Sequence, residues 1–176
     1  LIKNRAQNKR LMQNDKRRTN RPGLKIFIGL ILSSLIACTG KQPFYEEYIT
    51  IPDENWHQSN VPFFEFEIKD TLQRYDLFFN IRHAKTYEWK NLWVFLKFEL
   101  PMGMYDRDTL EFLLQDSQGR WLGKGSGNMR DGSYLFKTNT RFPFLGKYKA
   151  SFEQAMRVES IEDITDIGFR IQEVDE

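Results

Sequence analysis

The one cysteine of the chain, Cys38, is the residue whose chemistry its neighbours specify best. It follows Leu35-Ile36-Ala37, which end an apolar run starting at Ile26. A basic segment with Lys16, Arg17, Arg18, Arg21 and Lys25 precedes that run. A basic region, a short apolar region and a small-residue cleavage site ending in Cys together read as a bacterial lipoprotein signal. Ala37 offers a signal peptidase a small side chain, so cleavage is expected between Ala37 and Cys38. Cys38 then becomes the N-terminus and carries lipid on its sulfur and its nitrogen. The twelve residues from Ile26 to Ala37 fall short of the about 20 apolar residues that a spanning helix needs. The alternative is a free cysteine buried after an ordinary signal peptide. Position, flanks and uniqueness all favour lipidation. Thr39 follows Cys38 in place of the Asp that marks inner-membrane retention, which points to the outer membrane and leaves its face open. Leu1 stands where a start Met is usual, and Met12 offers a conventional start.

The remaining chemistry-bearing residues form no catalytic set. His57 and His83 are the only histidines and sit in unrelated segments, whereas a zinc site takes three or four ligands at suitable spacing. Gly119 to Gly127 holds a Gly-Lys pair. A phosphate loop, however, has four residues between its glycines and Ser or Thr after the Lys, and here three intervene and Gly125 follows. The expected structure is a hairpin and a glycine loop using positive φ. Asp106 and Asp108 flank Arg107. They are too few for a calcium site and read as an ion-paired entrance to a strand. There is no G-x-S-x-G and no Cys–His pair. The expectation is therefore a protein that is not an enzyme, with no catalytic residue, no metal ligand and no cofactor. Trp56, Tyr87, Trp89 and Trp121 lie in or near loops, where exposed aromatics stack on sugar rings or anchor protein interfaces. Core packing is the competing reading for them. Trp56, Trp89 and Trp121 are the candidate interaction surface.

Charge narrows the partners. The full chain carries 26 Lys+Arg and 24 Asp+Glu, of which nine basic residues and one acidic lie in 1–37. The mature part, 38–176, keeps 17 basic and 23 acidic residues, a net charge of −6. An acidic domain argues against nucleic acid, whose binding rests on Lys and Arg at phosphates, and against a polybasic membrane surface. The membrane is reached through the N-terminal lipid.

These residues need a scaffold, and the pattern is β throughout. Phe63 to Ile68 alternates, with Phe64, Phe66 and Ile68 on one face. Tyr75 to Ile81 is aromatic-rich, and Leu92 to Leu100, the most apolar run, ends at Pro101 and reads as a central strand. Pro52 to Pro62 reads as a turn-rich loop. Thr109 to Gln115, a turn at Asp116 to Gly119 and a return strand Arg120 to Leu122 make a hairpin. Ser133 to Phe136, Lys147 to Met156 and Ile167 to Val174 are further strands. Phe142-Pro143-Phe144 is an edge or corner, and Ile161 to Ile164 one helical turn. The expectation is an all-β antiparallel sandwich, jelly-roll or Ig-like, of about eight to ten strands. The organisation expected is an N-terminal extension and signal peptide over 1–37, a lipidated tether over 38–43, and a single β-sandwich domain over 44–176.

Longer stretches carry a resemblance. Tyr48-Ile49-Thr50-Ile51-Pro52 with Trp56, Phe64-Glu65-Phe66 and Tyr75-Asp76-Leu77 come first. Arg107-Asp108-Thr109-Leu110-Glu111 and the run from Asp116 to Gly125 follow, and these two are the most specific. Arg141-Phe142-Pro143, Glu153 to Arg157 and Ile167 to Ile171 complete the set. On these residues the mature chain is similar to the gliding-motility lipoprotein family GldH of the Bacteroidetes. The resemblance implies a cell-envelope lipoprotein associated with the gliding machinery and its linked secretion apparatus, with protein components of that machinery as partners. The family has no assigned reaction, so no catalytic residue is carried over. An envelope glycan-binding module, with polysaccharide as ligand, is the alternative.

Overall fold

Period-two alternation of buried and exposed side chains is clearest in Phe63–Ile68 and in 91–96. The computed structural model describes residues 42–175; Ala37 and Cys38, and with them the signal and its cleavage site, lie outside the described residues. The strands are β1 (Tyr45–Thr50), β2 (Asn55–His57), β3 (Phe63–Ile68), β4 (Tyr75–Ala84), β5 (Asn91–Glu99), β6 (Tyr105–Leu113), β7 (Met129–Thr140), β8 (Gly146–Gln154), β9 (Ser160–Glu162) and β10 (Ile164–Glu173). In β3, Phe64, Phe66 and Ile68 are buried while Phe63, Glu65 and Glu67 are exposed. In β5, Leu92, Val94 and Leu96 are buried while Trp93 and Phe95 are exposed. One hydrophobic face per strand demands a second layer to cover it.

Two four-stranded sheets provide those layers, in the orders β1-β10-β4-β7 and β3-β8-β5-β6, with a small β2-β9 ribbon beside them. Setting the ribbon aside, the first long strand pairs with the last, the second with the last but one, and so inward: β1 with β10, β3 with β8, β4 with β7, β5 with β6, all antiparallel. That nesting is a long hairpin rolled into two sheets, the jelly roll. It selects the jelly-roll form of the expected sandwich over the Ig-like one.

Aromatic rings fill the space between the sheets. Phe169 of β10 lies within 6.3 Å, centroid to centroid, of Tyr45, Phe64, Phe66, Phe98, Phe136 and Phe152, so it joins strands of both sheets. Phe79 of β4 stacks on Phe112 of β6 at 4.5 Å. Rings offset or edge-on at these separations add to the stabilisation from area burial alone.

Four local expectations change. Ile161 to Ile164 is not a helical turn: β9 pairs with β2, placing Ile161 opposite Trp56, and the chain turns at Asp163, with φ 69°, into β10. Burial of Ile161 and Ile164 decides this, since tertiary packing overrides a short local preference. The Pro52 to Pro62 loop accordingly contains β2. The return strand at Arg120 to Leu122 reduces to a bridge between Gln115 and Trp121. Here Asp116 holds the turn by accepting from the N–H of Gln118 and Arg120 and from Arg120 Nε at 2.7 Å. Asp106 and Asp108 do not stand before a strand but inside β6, where they accept the N–H of Arg107 and Thr109 at 2.9 and 2.7 Å. Strand β6 ends its sheet, and carboxylates on an edge discourage pairing with another chain. The glycine loop does use positive φ, at Gly125 and Gly127; a Cβ on Gly125 would meet the Met129 carbonyl oxygen at 2.5 Å.

Candidate interaction surface

Of the three tryptophans expected to form a surface, Trp89 lines a hollow beside Trp93, whereas Trp56 does not reach the surface. Trp56 is fully buried, and its Nε1 donates to the Asn60 carbonyl at 2.7 Å. Trp89 and Trp121 are half-buried and pack on the core. Both lie against the buried ring of Tyr87, at 5.5 and 6.3 Å. The physical reason is area: a large ring in a short loop stabilises more by covering the end of the core than by facing water.

His83 belongs to this end cluster, 4.6 Å from the Trp121 ring and 5.5 Å from Tyr87. It is fully buried. Its Nδ1 donates to the Ala84 carbonyl at 2.9 Å, which fixes Nε2 as the unprotonated acceptor, and Nε2 has no partner. Burial lowers its pKa from the usual 6.5, and Arg130 works in the same direction, while the Ala84 hydrogen bond, Asp131 and Asp163 oppose. A base whose folded pKa is depressed binds fewer protons folded than unfolded below 6.5. Stability is therefore lost as pH falls from 6.5 toward the folded value. Chemical denaturation at pH 7.5 and pH 5.5 is expected to show the loss in the wild-type protein and a smaller one in His83→Gln. Equal losses in the two proteins would remove His83 as the cause.

The exposed tryptophan and phenylalanine side chains lie on the outer face of the β3-β8-β5-β6 sheet. Trp93 and Phe95 of β5 and Phe63 of β3 are 38%, 48% and 50% exposed. Phe95 stands between Thr109 of β6 and Glu153 of β8, Trp93 opposite Glu111, and Lys97 between Arg107 and Ser151. Two shallow hollows, of about 620 and 540 Å³, meet at Phe95 and Thr109; Lys97, Arg107 and Glu153 line the first, and Trp93, Met156 and Arg157 the second. The surrounding charges have both signs. Glu99 accepts from Lys97 at 3.0 Å and lies 3.6 Å from Lys149. The Lys97 hydrogen bond, with the Lys149 charge, holds its carboxyl below the usual range. Lys149 Nζ sits 4.7 Å over the Phe63 ring and Arg107 5.6 Å over Tyr105. The sequence did carry a signal for these residues: inside the apolar run, Leu92, Val94, Leu96 and Phe98 take one face, so Trp93 and Phe95 take the other.

The outer face of the β1-β10-β4-β7 sheet differs, because its polar groups close on one another. Arg82 bridges Asp131 at 2.6 Å and Asp166 at 3.1 Å, and Thr50 donates to Asp166 at 2.8 Å. Asn80 donates to the Tyr48 hydroxyl at 3.0 Å and accepts from Ser133 at 2.6 Å. Among the described residues no three His, Cys, Asp or Glu side chains converge in a way that would hold a metal.

The family model described as GldH lipoprotein matches residues 43–171, from just before β1 into β10. A gliding motility lipoprotein GldH homolog from Christiangramia forsetii is 35% identical over 162 residues, covering 88% of this chain and 99% of its own. The gliding motility lipoprotein GldH of Flavobacterium johnsoniae is 31% identical over 153 residues, covering 83% and 94%. With the model match spanning nearly the whole sandwich and both relatives aligned over almost their entire lengths, the chain belongs to the GldH family of gliding motility lipoproteins.

Proposed function

We propose that the protein is a structural or assembly component of the gliding machinery and its linked secretion apparatus, held at the outer membrane by lipid on Cys38. In this reading residues 1–37 are removed, 38–43 tether, and the sandwich that follows offers a docking face to a protein of the machinery. The observation that carries the reading is the outer face of the β3-β8-β5-β6 sheet. Its centre is Trp93 and Phe95 with Met156, and its border carries Arg107, Arg157, Lys97, Glu111 and Glu153. Aromatic residues and Met at the centre, with Arg and mixed charges around them, are the composition of protein–protein interfaces.

Crosslinking in cells that express a tagged protein, followed by detergent extraction and identification of what co-purifies, tests this. Other gliding or secretion components are expected, and the Trp93→Ala/Phe95→Ala pair is expected to lower their recovery at least tenfold with the protein still folded. Undiminished recovery from the double variant would remove this face from the reading. A second reading is a glycan site on the same face, because Phe95 has Thr109 and Glu153 beside it, a ring for stacking with hydrogen-bonding groups at its edge. Retained envelope polysaccharide with no protein partner would favour it.

A further inference from the structure

The chain enters the sandwich at β1, and the registers show which end that is. Tyr45 pairs with Ile171, Tyr75 with Glu173 and with Thr140. In the other sheet Ile68 pairs with Gly146, and Glu99 with Tyr105 and Lys149. The start of β1 therefore shares one end of the molecule with three loops: β3–β4, β5–β6 and β7–β8. Contacts join them. The Phe44 ring lies 5.1 Å from Tyr75, Tyr75 lies 5.5 Å from Phe142 of the β7–β8 loop, and a Cβ on Gly146 would touch Pro101 of the β5–β6 loop at 3.4 Å.

Each of these loops exposes a large apolar side chain. Met102 is 80% exposed, Leu72 72% and Leu145 61%, with Met104 and Tyr105 beside Met102 at 43% and 62%. No other large hydrophobic residue among those described is as exposed as Met102, Leu72, Tyr105 or Leu145. Met102 adopts this position at φ 71°, a left-handed conformation uncommon for a residue with a side chain. At the other end the turn Asp116–Arg120 is polar, and the exposed apolar side chains there are less bare: Leu113 57%, Leu122 52%, Val61 38% and Val158 36%.

We infer that this end of the sandwich lies against the lipid surface, with Leu72, Met102 and Leu145 inserted at the headgroup level. The inference rests on lipidation at Cys38. From Cys38 to Phe44 the chain advances six residues, which reach at most about 20 Å when fully extended. A lipid held in the membrane at Cys38 thus keeps this end within that distance of the bilayer. Apolar side chains on three separate loops then find an apolar medium without leaving the fold, and interfacial binding grows with the apolar area so buried. Lys69, Asp70, Arg74 and Arg141 belong to these loops, and Asp106 follows the β5–β6 loop within β6. Charges of both signs make apolar contact the driving term, with little dependence on salt. The outer sheet face, bearing Trp93 and Phe95, then stands upright from the membrane and is accessible to a partner in the same leaflet.

The test uses the mature lipoprotein in vesicles of phosphatidylethanolamine and phosphatidylglycerol. Cys38 is the only cysteine, and its thioether cannot react, so a cysteine placed at Leu72→Cys, Met102→Cys or Leu145→Cys is the one labelled thiol. Thr86→Cys and Gln118→Cys, at the opposite end, are the controls. An environment-sensitive fluorophore at the three loop tips is expected to shift to the blue and to be quenched by lipids carrying a spin label just below the headgroup, at least threefold more than at the controls. Vesicle flotation is read in parallel. Protein that floats with its tips no more quenched than the controls overturns the membrane contact and leaves the anchor standing. Protein that does not float overturns the contact and the anchor together.

Discussion

Replacing Cys38 by Ala is expected to move essentially all of the protein from the membrane fraction to the soluble fraction. The magnitude follows from the anchor. Each buried CH₂ contributes about 0.8 kcal/mol, and one chain of myristoyl length binds only marginally, whereas two or more hold a protein on the membrane for as long as the cell needs it. In this reading the single sulfur atom of Cys38 is the attachment point for part of that hydrocarbon. The loop tips proposed to touch the bilayer, Leu72, Met102 and Leu145, are isolated side chains on short loops. They position the domain without holding it there once the lipid is gone. Carbonate extraction and fractionation of cells expressing the variant read the outcome. A Cys38→Ala protein that stays wholly with the membrane would sink the lipid-anchor reading, and a wild-type protein whose N-terminal peptide carries no acyl mass would do so independently.

Phe169→Ala is expected to destabilise the sandwich by about 3–5 kcal/mol, the range for a buried Phe truncated to Ala. The upper part of the range is expected because of where the ring sits. Phe169 is fully buried and touches rings from β1, β3, β5, β7 and β8, so its loss opens a cavity bordered by both sheets. Neighbouring rings are large and mutually interlocked, which limits how far they can collapse into the gap. A loss of that size lowers the melting temperature by roughly 10–20 °C in a domain of this length. Urea denaturation followed by tryptophan fluorescence measures it. Phe95→Ala, on the outer face of β5, serves as the comparison and is expected to cost under about 1 kcal/mol, as surface substitutions usually do. Similar losses in the two variants would mean that Phe169 is not the junction between the sheets.

The burial ladder makes the same contrast at finer scale. Gly168, next to Phe169, has no room for a side chain: a Cβ there would meet the Tyr48 ring at 2.7 Å and the Asn80 side chain at 3.0 Å. Tyr48 closes over the backbone of β10 and reaches Asn80. One strand thus presents a ring to the core and a bare backbone to the opposite face, and both requirements are met by adjacent residues pointing to opposite sides.

Strand identity was legible in the sequence because its cause is local. Alternation in Phe63–Ile68 and β-branched and aromatic enrichment in Leu92–Leu100 set period and propensity within a few residues. The all-β class and the family resemblance follow from such local text. The burial of Trp56 is not legible in the sequence because it is not local: the ring is covered through a pairing with Ile161, about a hundred residues further along the chain. The exposure of Trp93 is hidden for the converse reason, since an apolar run does not show which of its faces looks outward until a second sheet covers one of them. By itself the sequence determined most of the long strands, the sandwich class and the lipoprotein family, each through periodicity or contiguous motif. Only the tertiary structure decided the nested pairing of the jelly roll, which aromatics are sealed and which are displayed, and the gathering of Leu72, Met102 and Leu145 at the end where the chain enters. Those depend on contacts between segments far apart in the chain, whose free energy comes from burying surface between layers that no single segment contains.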